Sequence, residues 1–384
     1  MRLFMKYRNH LIIFFAVSIY VGCSDVKFES VPSQQCAEVE NNFGNGSCFE
    51  EPGYLNYHFE FGVGRMDILF VNDNSGSMYV EQQNMADRFP NLLNEIAGLD
   101  YQIAMVTTDI SFSPDNRTPR PSNGNGDFQD GKFLKFPNGG MLIDPTMPNV
   151  VEMFRTTVKR PETLSCDTVT GAACPSGDER GIFALNMALD RADANFFRKD
   201  SHLAVVILSD EDERSNGGNI PGYPLETYDL PLTFAQKVNT QLGSAKTVSV
   251  HAVIIKPGDT DCFNKQNGQG GGVKGYYGHQ YARLVNANQD PELKSAHPFF
   301  LNGQLGSICS RDYGAQMGNI GSLAAVNANI KVLPCVPDHD KIDVRFSPAP
   351  AYQIEFDVNS EGLLTFNPQP PPGTQVEVDV TCPK

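Results

Sequence analysis

Asp73, Ser75 and Ser77 form an Asp-x-Ser-x-Ser pattern directly after a short apolar run. One carboxylate and two hydroxyls at this spacing offer hard oxygen ligands with little negative charge, which suits a divalent cation such as Mg²⁺. The pattern alone is a weak indicator, because Asp and Ser also cap helices and occupy turns. A second apolar run ends just before Asp210 and brings another carboxylate into a loop. Together the two loops predict a cation site.

Two strands of one parallel sheet would bring these loops together. Between about residues 62 and 330, apolar runs alternate with helical patterns, which is typical of a doubly wound α/β domain with a mostly parallel sheet flanked by helices. The runs are almost continuously apolar, as expected for strands covered on both faces. The carboxyl ends of such strands open into the crevice where these sheets bind ligands. The predicted strands are residues 66–71, 101–106, 203–208 and 248–255.

Two apolar stripes at helical spacing predict helices between these strands. The stripe at 85–96 contains Pro90, which should kink or restart that helix. The stripe at 182–189 follows Asp178 and Glu179, which are expected to form its acidic first turn.

The C-terminal segment changes to a period of two. Residues 342–346, 354–358 and 376–380 alternate apolar and polar side chains between Pro and Gly turns, which predicts a small antiparallel β module. We therefore divide the chain into four parts. These are a signal peptide at 1–22, a polar tether with one small disulfide loop at 23–61, the α/β domain at 62–332 and the β module at 333–384.

The N-terminus has the pattern of an export signal. Arg2, Lys6 and Arg8 precede an apolar run at 11–21, which is too short to span a bilayer. The residues that follow, Gly22 and Cys23, resemble the processing site of bacterial lipoproteins, where the cysteine becomes lipidated. The alternative is an ordinary export signal in which Cys23 is incidental. The expected location is the bacterial cell envelope. A lipid anchor would hold the chain at an outer membrane or cell surface rather than at the inner membrane.

Cysteine usage is consistent with an oxidising compartment. Of nine cysteines, Cys23 is assigned to lipidation, and the even remainder predicts disulfides. A zinc site would need closely spaced Cys or His ligands, which are absent from the sequence. The simplest pairing joins nearest neighbours: Cys36 with Cys48, Cys166 with Cys174, Cys262 with Cys309, and Cys335 with Cys382.

Residues 64–330 resemble the von Willebrand factor A (VWA) family with its metal ion-dependent adhesion site. The resemblance rests on the segments 71–78 and 206–211. It implies that Asp73, Ser75 and Ser77 bind the ion and that Asp210 acts through its water shell. Mg²⁺ is the expected ion, with Ca²⁺ or Mn²⁺ as alternatives. The ion's open position would accept an acidic residue of a protein partner.

The chain departs from the family pattern at one ligand. The family supplies a Thr from the loop before the helix at 182–189, and this chain has none there. Ser176 is the expected substitute, and Asp178 is the alternative. Thr108 and Asp109 follow the second strand. They either contact and orient the residues that bind the ion, or form an ordinary helix cap or turn. The acidic residues at 211–213 are expected to be a solvated charge run.

Charge and motifs narrow the function. The 384-residue chain carries a net charge of −15 and no basic block, so nucleic-acid binding is not expected. No hydrolase, zinc-protease or phosphate-loop motif is present, and the seven histidines show no ligand-like spacing. The sequence therefore predicts a non-enzymatic, metal-dependent adhesion module. An assembly component of an envelope complex is the alternative, and a hydrolase is the less favoured interpretation.

Overall fold

A computed structural model of the chain describes Cys36 and residues 46–110, 130–160, 178–191, 195–268 and 274–384. Its centre is a five-stranded parallel sheet with strand order β4-β3-β5-β6-β7. All four strands predicted from the sequence are present in it. The strands are β3 (Met66–Asn72), β4 (Tyr101–Thr107), β5 (His202–Leu208), β6 (Val248–Ile254) and β7 (Leu305–Ser307).

Helices cover both faces of this sheet. Alternate residues of each strand face opposite sides, so Ile68 and Phe70 join one core cluster while Leu69 and Val71 join the other. The first cluster includes α1, α2, α5 and α8, and the second includes α3, α4, α6 and α7. The helices are α1 (Tyr79–Glu95), α2 (Val150–Val158), α3 (Gly181–Arg191), α4 (Pro231–Lys237), α5 (Thr260–Asn267), α6 (His279–Val285), α7 (Pro291–Ala296) and α8 (Tyr313–Ala328). The fold is therefore the doubly wound α/β class that the sequence predicted.

Short or irregular helical turns link these elements. They are Gly76–Met78, Arg214–Gly217, Thr227–Asp229, Val238–Leu242 and His339–Lys341. None of the helices within the described ranges is long and apolar enough to cross a membrane.

Helix α1 continues through Pro90 and does not restart there. The neighbouring Phe89 stacks on Phe154 of α2 with ring centres 3.6 Å apart, and it also meets Phe70 of β3 edge-on at 6.2 Å. Because Phe89 and Leu92 on either side of the proline are buried in the same core cluster, packing holds the helix together although one backbone donor is missing.

Strand β3 lies between β4 and β5, and this order places the two candidate loops side by side. The register pairs Asn72 at the end of β3 with Leu208 at the end of β5. The chain continues from β3 to β4 on one side and returns with β5 on the other, so β3 lies at the switch point where doubly wound sheets form a ligand crevice.

The β module contains residues from both ends of the described chain. One sheet has the order β1-β2-β12-β9 and the other has the order β10-β11-β8, and all pairings are antiparallel. The two sheets pack face to face, with the ring of Phe366 5.6 Å from Phe346 and 6.5 Å from Phe61. The strands are β1 (Gly46–Glu51), β2 (Tyr54–Gly62), β8 (Lys331–Val332), β9 (Ile342–Ser347), β10 (Glu355–Val358), β11 (Leu363–Asn367) and β12 (Gln375–Pro383).

This arrangement corrects the tether predicted at 23–61 over its residues 46–61. Residues 46–62 form β1 and β2, and β2 pairs along its whole length with the C-terminal strand β12. The physical reason is a period of two that the polar composition of the segment obscured: Leu55, Tyr57, Phe59 and Phe61 are buried on one face.

Three of the four nearest-neighbour disulfides lie within the described residues. They are Cys36–Cys48, Cys262–Cys309 and Cys335–Cys382. The first and third brace the β module, and the second joins α5 to the loop after β7. The pair Cys166 with Cys174 lies outside the described residues.

Candidate metal centre

Asp73 follows β3 directly and is fully buried. Its Oδ1 accepts a hydrogen bond from the backbone N–H of Ser75 at 2.9 Å, and its Oδ2 accepts one from the hydroxyl of Ser209 at 2.6 Å. Ser209 follows β5, so the ends of both strands fix the same carboxylate. The turn Gly76–Met78 then leads into α1.

The remaining predicted side chains complete a connected set. The hydroxyls of Ser75 and Ser77 lie 3.0 Å apart, and Ser77 donates to Asp210 Oδ1 at 3.2 Å. Both serines are half-buried and reach the surface, whereas Asp210 is fully buried. The structure therefore brings Asp73, Ser75, Ser77 and Asp210 together at the carboxyl edge of the sheet.

The two carboxylates lack positive partners. Across the described ranges, neither Asp73 nor Asp210 forms an ion pair with Lys or Arg, and Asp210 Oδ2 is buried without a hydrogen-bond partner. Burial raises the pKa of Asp73, although hydrogen bonds from Ser209 and Ser75 oppose that effect. Burial also raises the pKa of Asp210 well above its usual value, and the nearby charge of Asp73 raises it further.

These residues fit a hard divalent cation. Two carboxylates and two hydroxyls supply oxygen ligands, and a cation would compensate the charges that the protein leaves unpaired. No group of three or more His, Cys, Asp or Glu side chains arranged to hold a metal occurs in the part of the chain that the structure describes. An ion at this edge would therefore depend on hydroxyls and water, which suits Mg²⁺.

The third loop of the site is described only from Asp178 onward, and Ser176 lies outside the described residues. The two carboxylate oxygens of Asp178 accept hydrogen bonds from Nε and Nη2 of Arg214, at 3.3 and 2.9 Å. This ion pair favours a structural role for Asp178 over the alternative that it replaces the family's Thr. Asp178 also lies outside the first turn of α3, because that helix begins at Gly181.

Two acidic residues that the sequence did not assign to the site border it. Glu179 is buried and accepts a hydrogen bond from Ser215 at 3.0 Å. Burial and then the charge of Asp73 raise its pKa to about 8. Burial and then Glu179, with which it shares a hydrogen bond, raise the pKa of Glu211 well above its usual value. This edge of the sheet is therefore more acidic than the motif alone predicts.

The run at 211–213 is not a solvated charge run. Asp212 is buried and accepts a hydrogen bond from the backbone of Gln280 at the start of α6. Glu213 is fully buried and accepts from the backbone N–H groups of Ile182 and Phe183 at 2.7 and 2.9 Å. Both acids bond free N–H groups in the first turn of a helix, which explains why they tolerate burial.

Thr108 and Asp109 lie buried at the same edge. The backbone of Thr108 connects three loops, because its N–H donates to Asn72 and its carbonyl accepts from Arg180. The carbonyl of Asp109 accepts from the N–H of Asp130 at 3.2 Å. These contacts hold the loops in place, and support of the site by the two side chains stays a prediction.

Two buried histidines, His202 and His251, form a structural network. The backbone N–H of Gln304 donates to His251 Nδ1 at 3.1 Å, and the hydroxyl of Ser249 lies 3.0 Å from His251 Nε2 and 2.8 Å from His202 Nε2. His202 Nδ1 then meets Thr247 Oγ1 at 3.0 Å. This chain of single-proton contacts is satisfied when both rings are neutral. Burial lowers the pKa of both rings, to about 3 for His251.

Comparisons with known proteins give weak likenesses only. No family model matches the sequence, and no curated protein matches it. The pilus adhesin SpaC from Lactobacillus rhamnosus GG is similar with a TM-score of 0.37 and 10% identity, over 88% of this chain and 42% of SpaC.

Two further solved structures have similarly low TM-scores and identities. The pilus adhesin RrgA from Streptococcus pneumoniae has a TM-score of 0.30 and 8% identity, over 88% of this chain and 60% of that one. Manganese-loaded TRAP from Plasmodium vivax has a TM-score of 0.24 and 15% identity, over 62% and 78%. At these scores the likenesses carry no argument about function.

Proposed function

We propose that this chain is a metal-dependent protein-binding module with its cation at the carboxyl edge of the parallel sheet. Asp73, Ser75 and Ser77 would hold the ion directly, and Asp210 would act through its water shell. Ser176 remains the proposed contributor from the third loop. Mg²⁺ is the expected ion, with Ca²⁺ or Mn²⁺ as alternatives, and the resemblance to the VWA family supports this assignment of roles.

One observation carries the proposal. Asp73 and Asp210 are both fully buried, they lie beside each other, and no Lys or Arg of the described chain pairs with them. Burying two uncompensated carboxylates is costly, and proteins usually remove that cost by protonation, pairing or metal binding. A divalent cation accounts for the carboxylates, the neighbouring hydroxyls and the unpartnered oxygen of Asp210 together.

The donor set favours capture of an acid from outside. Ser75 and Ser77 contribute neutral oxygens, so the bound ion would keep much of its positive charge. The two serines are half-buried, so that side of the ion faces the surface. An acidic residue of a protein partner can then complete the coordination. We therefore propose binding rather than catalysis as the activity, and no hydrolase motif is present in the sequence.

The proposed setting is the bacterial cell envelope, with the chain anchored through lipid on Cys23. The N-terminal sequence and the disulfides support export. Cys23 itself lies outside the described residues. An outer membrane or cell surface is the proposed location. Adhesion to a foreign ligand and docking to a fixed envelope complex use the same site, so the identity of the captured partner distinguishes them.

Calorimetric titration of the full chain in mild detergent with Mg²⁺ tests the ion site. We expect saturable binding to the wild type and none to Asp73→Ala. Asp87→Ala is the matched control, because Asp87 is an exposed aspartate on α1 and should leave binding intact. Unchanged Mg²⁺ binding in Asp73→Ala would contradict the proposal.

A biosensor surface densely coated with a peptide that carries a single aspartate tests partner capture. Dense display raises weak affinities into a measurable range through avidity. We expect retention of wild-type protein in Mg²⁺, release by EDTA, and no retention of Asp73→Ala. Capture that persists in EDTA would exclude the ion as the acceptor of the acid.

A further inference from the structure

A pocket of about 300 Å³ opens directly beside the candidate metal centre. Ser77 and Asp210, two of the residues proposed to hold the ion, form part of its wall. The first turn of α1 contributes Val80 to the lining, and α5 contributes Lys265. A ligand bound to the ion would therefore extend into this pocket, whose volume is at the lower end of the range for ligand sites.

Two lysines line the pocket in an otherwise acidic region. Lys265 is exposed on α5, and Lys274 also lines the pocket. Asp210 and Glu81 line it too, and their charges would repel a ligand with a second negative group if the lysines were absent. The two lysines would therefore favour the binding of a second acid in this pocket, next to the ion.

The position of Lys274 is fixed by its surroundings. Asn267 at the end of α5 accepts from the backbone N–H groups of Lys274 and Gly275, at 2.6 and 3.0 Å. The next residue, Tyr276, donates its N–H to the carbonyl of Asp210 at 2.9 Å. Gly275 lies so close to that carbonyl that a Cβ would stand 3.0 Å from it. Lys274 is thus held by the same backbone that carries the proposed ligand Asp210.

The wall that carries Lys265 is also braced. The disulfide Cys262–Cys309 joins α5 to the loop after β7, and that loop contributes Ile308 to the pocket. Gln266 donates to Glu81 Oε1 at 3.0 Å and so links α5 to α1. A pocket held by a disulfide and by hydrogen bonds is formed before the ligand arrives, which lowers the entropic cost of binding.

We propose that this pocket is a second acid-binding subsite, and that the partner segment carries two acidic residues close together in its sequence. This inference rests on the proposed function. One carboxylate would complete the coordination of the ion, and the other would lie between Lys265 and Lys274. The exposed side chain of Val80, with 59% of its surface accessible, offers apolar contact to the stems of the acidic residues.

The test compares synthetic peptides that carry one aspartate with peptides that carry two, separated by zero, one or two glycines. Their affinity for the full chain is measured in Mg²⁺ by competition against a labelled two-acid peptide. Exposed ion pairs are individually weak, so we expect the best two-acid peptide to bind about fivefold more tightly than the one-acid peptide. The preference should shrink in about 0.5 M salt, because dissolved ions at that concentration screen the attraction between exposed charges.

Variants assign the preference to the lysines. Lys265→Ala should reduce it, and the double variant Lys265→Ala with Lys274→Ala should abolish it while the affinities for Mg²⁺ and for the one-acid peptide remain. Lys265→Gln repeats the test with a longer side chain. Lys135→Ala removes an exposed lysine that does not line the pocket and should keep the preference. Unfolding midpoints of all variants establish that each is folded.

The outcomes separate the two proposals. Absence of Mg²⁺ binding, or one-acid binding that EDTA does not affect, contradicts the proposed function itself. If Mg²⁺ and the one-acid peptide bind but no two-acid peptide binds more tightly, the subsite is disproved. An unchanged preference in the double lysine variant disproves it as well. A preference that survives EDTA also overturns the inference, because the two acids would then be recognised without the ion.

Discussion

The two edges of the central sheet contain equally buried aspartates with opposite electrostatic surroundings. Asp67 lies near the start of β3 and Asp73 follows its end, and both are fully buried. Asp67 accepts hydrogen bonds from the backbone and side chain of Arg198, at 2.9 and 2.8 Å, and from Ser201. The amino group of Lys246 lies 3.7 Å away. The amino edge therefore supplies its own cations.

At the carboxyl edge, Asp73 and Asp210 have only neutral donors. Asp73 accepts from a backbone N–H and a serine hydroxyl, and Asp210 accepts from Ser77. Burial lowers the pKa of Lys246 at the amino edge to about 8, so charge is costly there too. The difference shows that this fold compensates buried acids with side chains where the role is structural. For Asp73 and Asp210, the compensation must come from protons or from a bound cation.

The largest expected effect is a loss of unfolding free energy at the amino edge of the sheet. Asp67→Asn removes the acid beside the buried Lys246 and one of the two acids that pair with the half-buried Arg198, and loss of one partner from a buried ion pair costs about 3–5 kcal/mol of unfolding free energy. Asp210→Asn in EDTA should cost little or stabilise the protein, because it removes one of two neighbouring buried carboxylates. Urea unfolding of both variants measures the contrast. Equal destabilisation would show that the two edges do not differ as described.

The second effect is stabilisation by the ion. A ligand that binds only the folded state stabilises it by about 2.7 kcal/mol when its free concentration is about 100 times its Kd. Mg²⁺ should therefore raise the unfolding free energy of the wild type by about that amount, and EDTA should reverse the gain. Asp73→Asn should show no gain, and Asp87→Ala should show all of it. A Mg²⁺-dependent gain in Asp73→Asn would place the ion elsewhere.

The sequence predicted the parts of this comparison that depend on local pattern. The strands that precede Asp73 and Asp210 are continuous apolar runs. Because parallel strands of one sheet end at the same edge, the sequence predicted that the two acids lie close together. The pairing of β2 with β12 joins segments more than three hundred residues apart, and composition suggested a tether instead.

The surroundings of the acids were not predictable in the same way. Glu213 looks like one charge in an acidic run, and only the fold shows that it bonds to the start of α3. Glu179 looks like an acidic helix start, and only the fold places it against Glu211. Whether an acid is solvated, paired or left to bind a cation depends on partners far away in the sequence. Asp178 and its partner Arg214 illustrate the same limit.

The third prediction concerns the neutral histidine network between the edges. The pKa of His251 is about 3 in the folded protein against 6.5 ordinarily, because burial disfavours its charged form. Below pH 6.5 the unfolded state binds more protons, so this group lowers the unfolding free energy as the pH falls, by up to about 1.4 kcal/mol per pH unit. His251→Gln should flatten the pH dependence between about pH 6 and 4.

Acids with raised pKa act in the opposite direction, so the comparison is between variants measured in the same buffers. His279→Gln removes an exposed histidine and serves as the matched control. Urea unfolding at several pH values gives the slopes. A slope in His251→Gln that equals that of the wild type would mean that His251 is protonated in the folded protein.

The smallest expected effect tests the serine that supports each aspartate. Ser209 donates to Asp73 Oδ2 at 2.6 Å, and Ser201 donates to the corresponding oxygen of Asp67. Loss of a hydrogen bond that orients a metal ligand commonly weakens metal binding about tenfold. We expect this loss of Mg²⁺ affinity in Ser209→Ala, measured by calorimetry, and no change in Ser201→Ala. Each variant removes a serine hydroxyl that donates to a buried aspartate, one at each edge of the sheet. Equal Mg²⁺ affinities would therefore show that Ser209 does not position Asp73 for an ion.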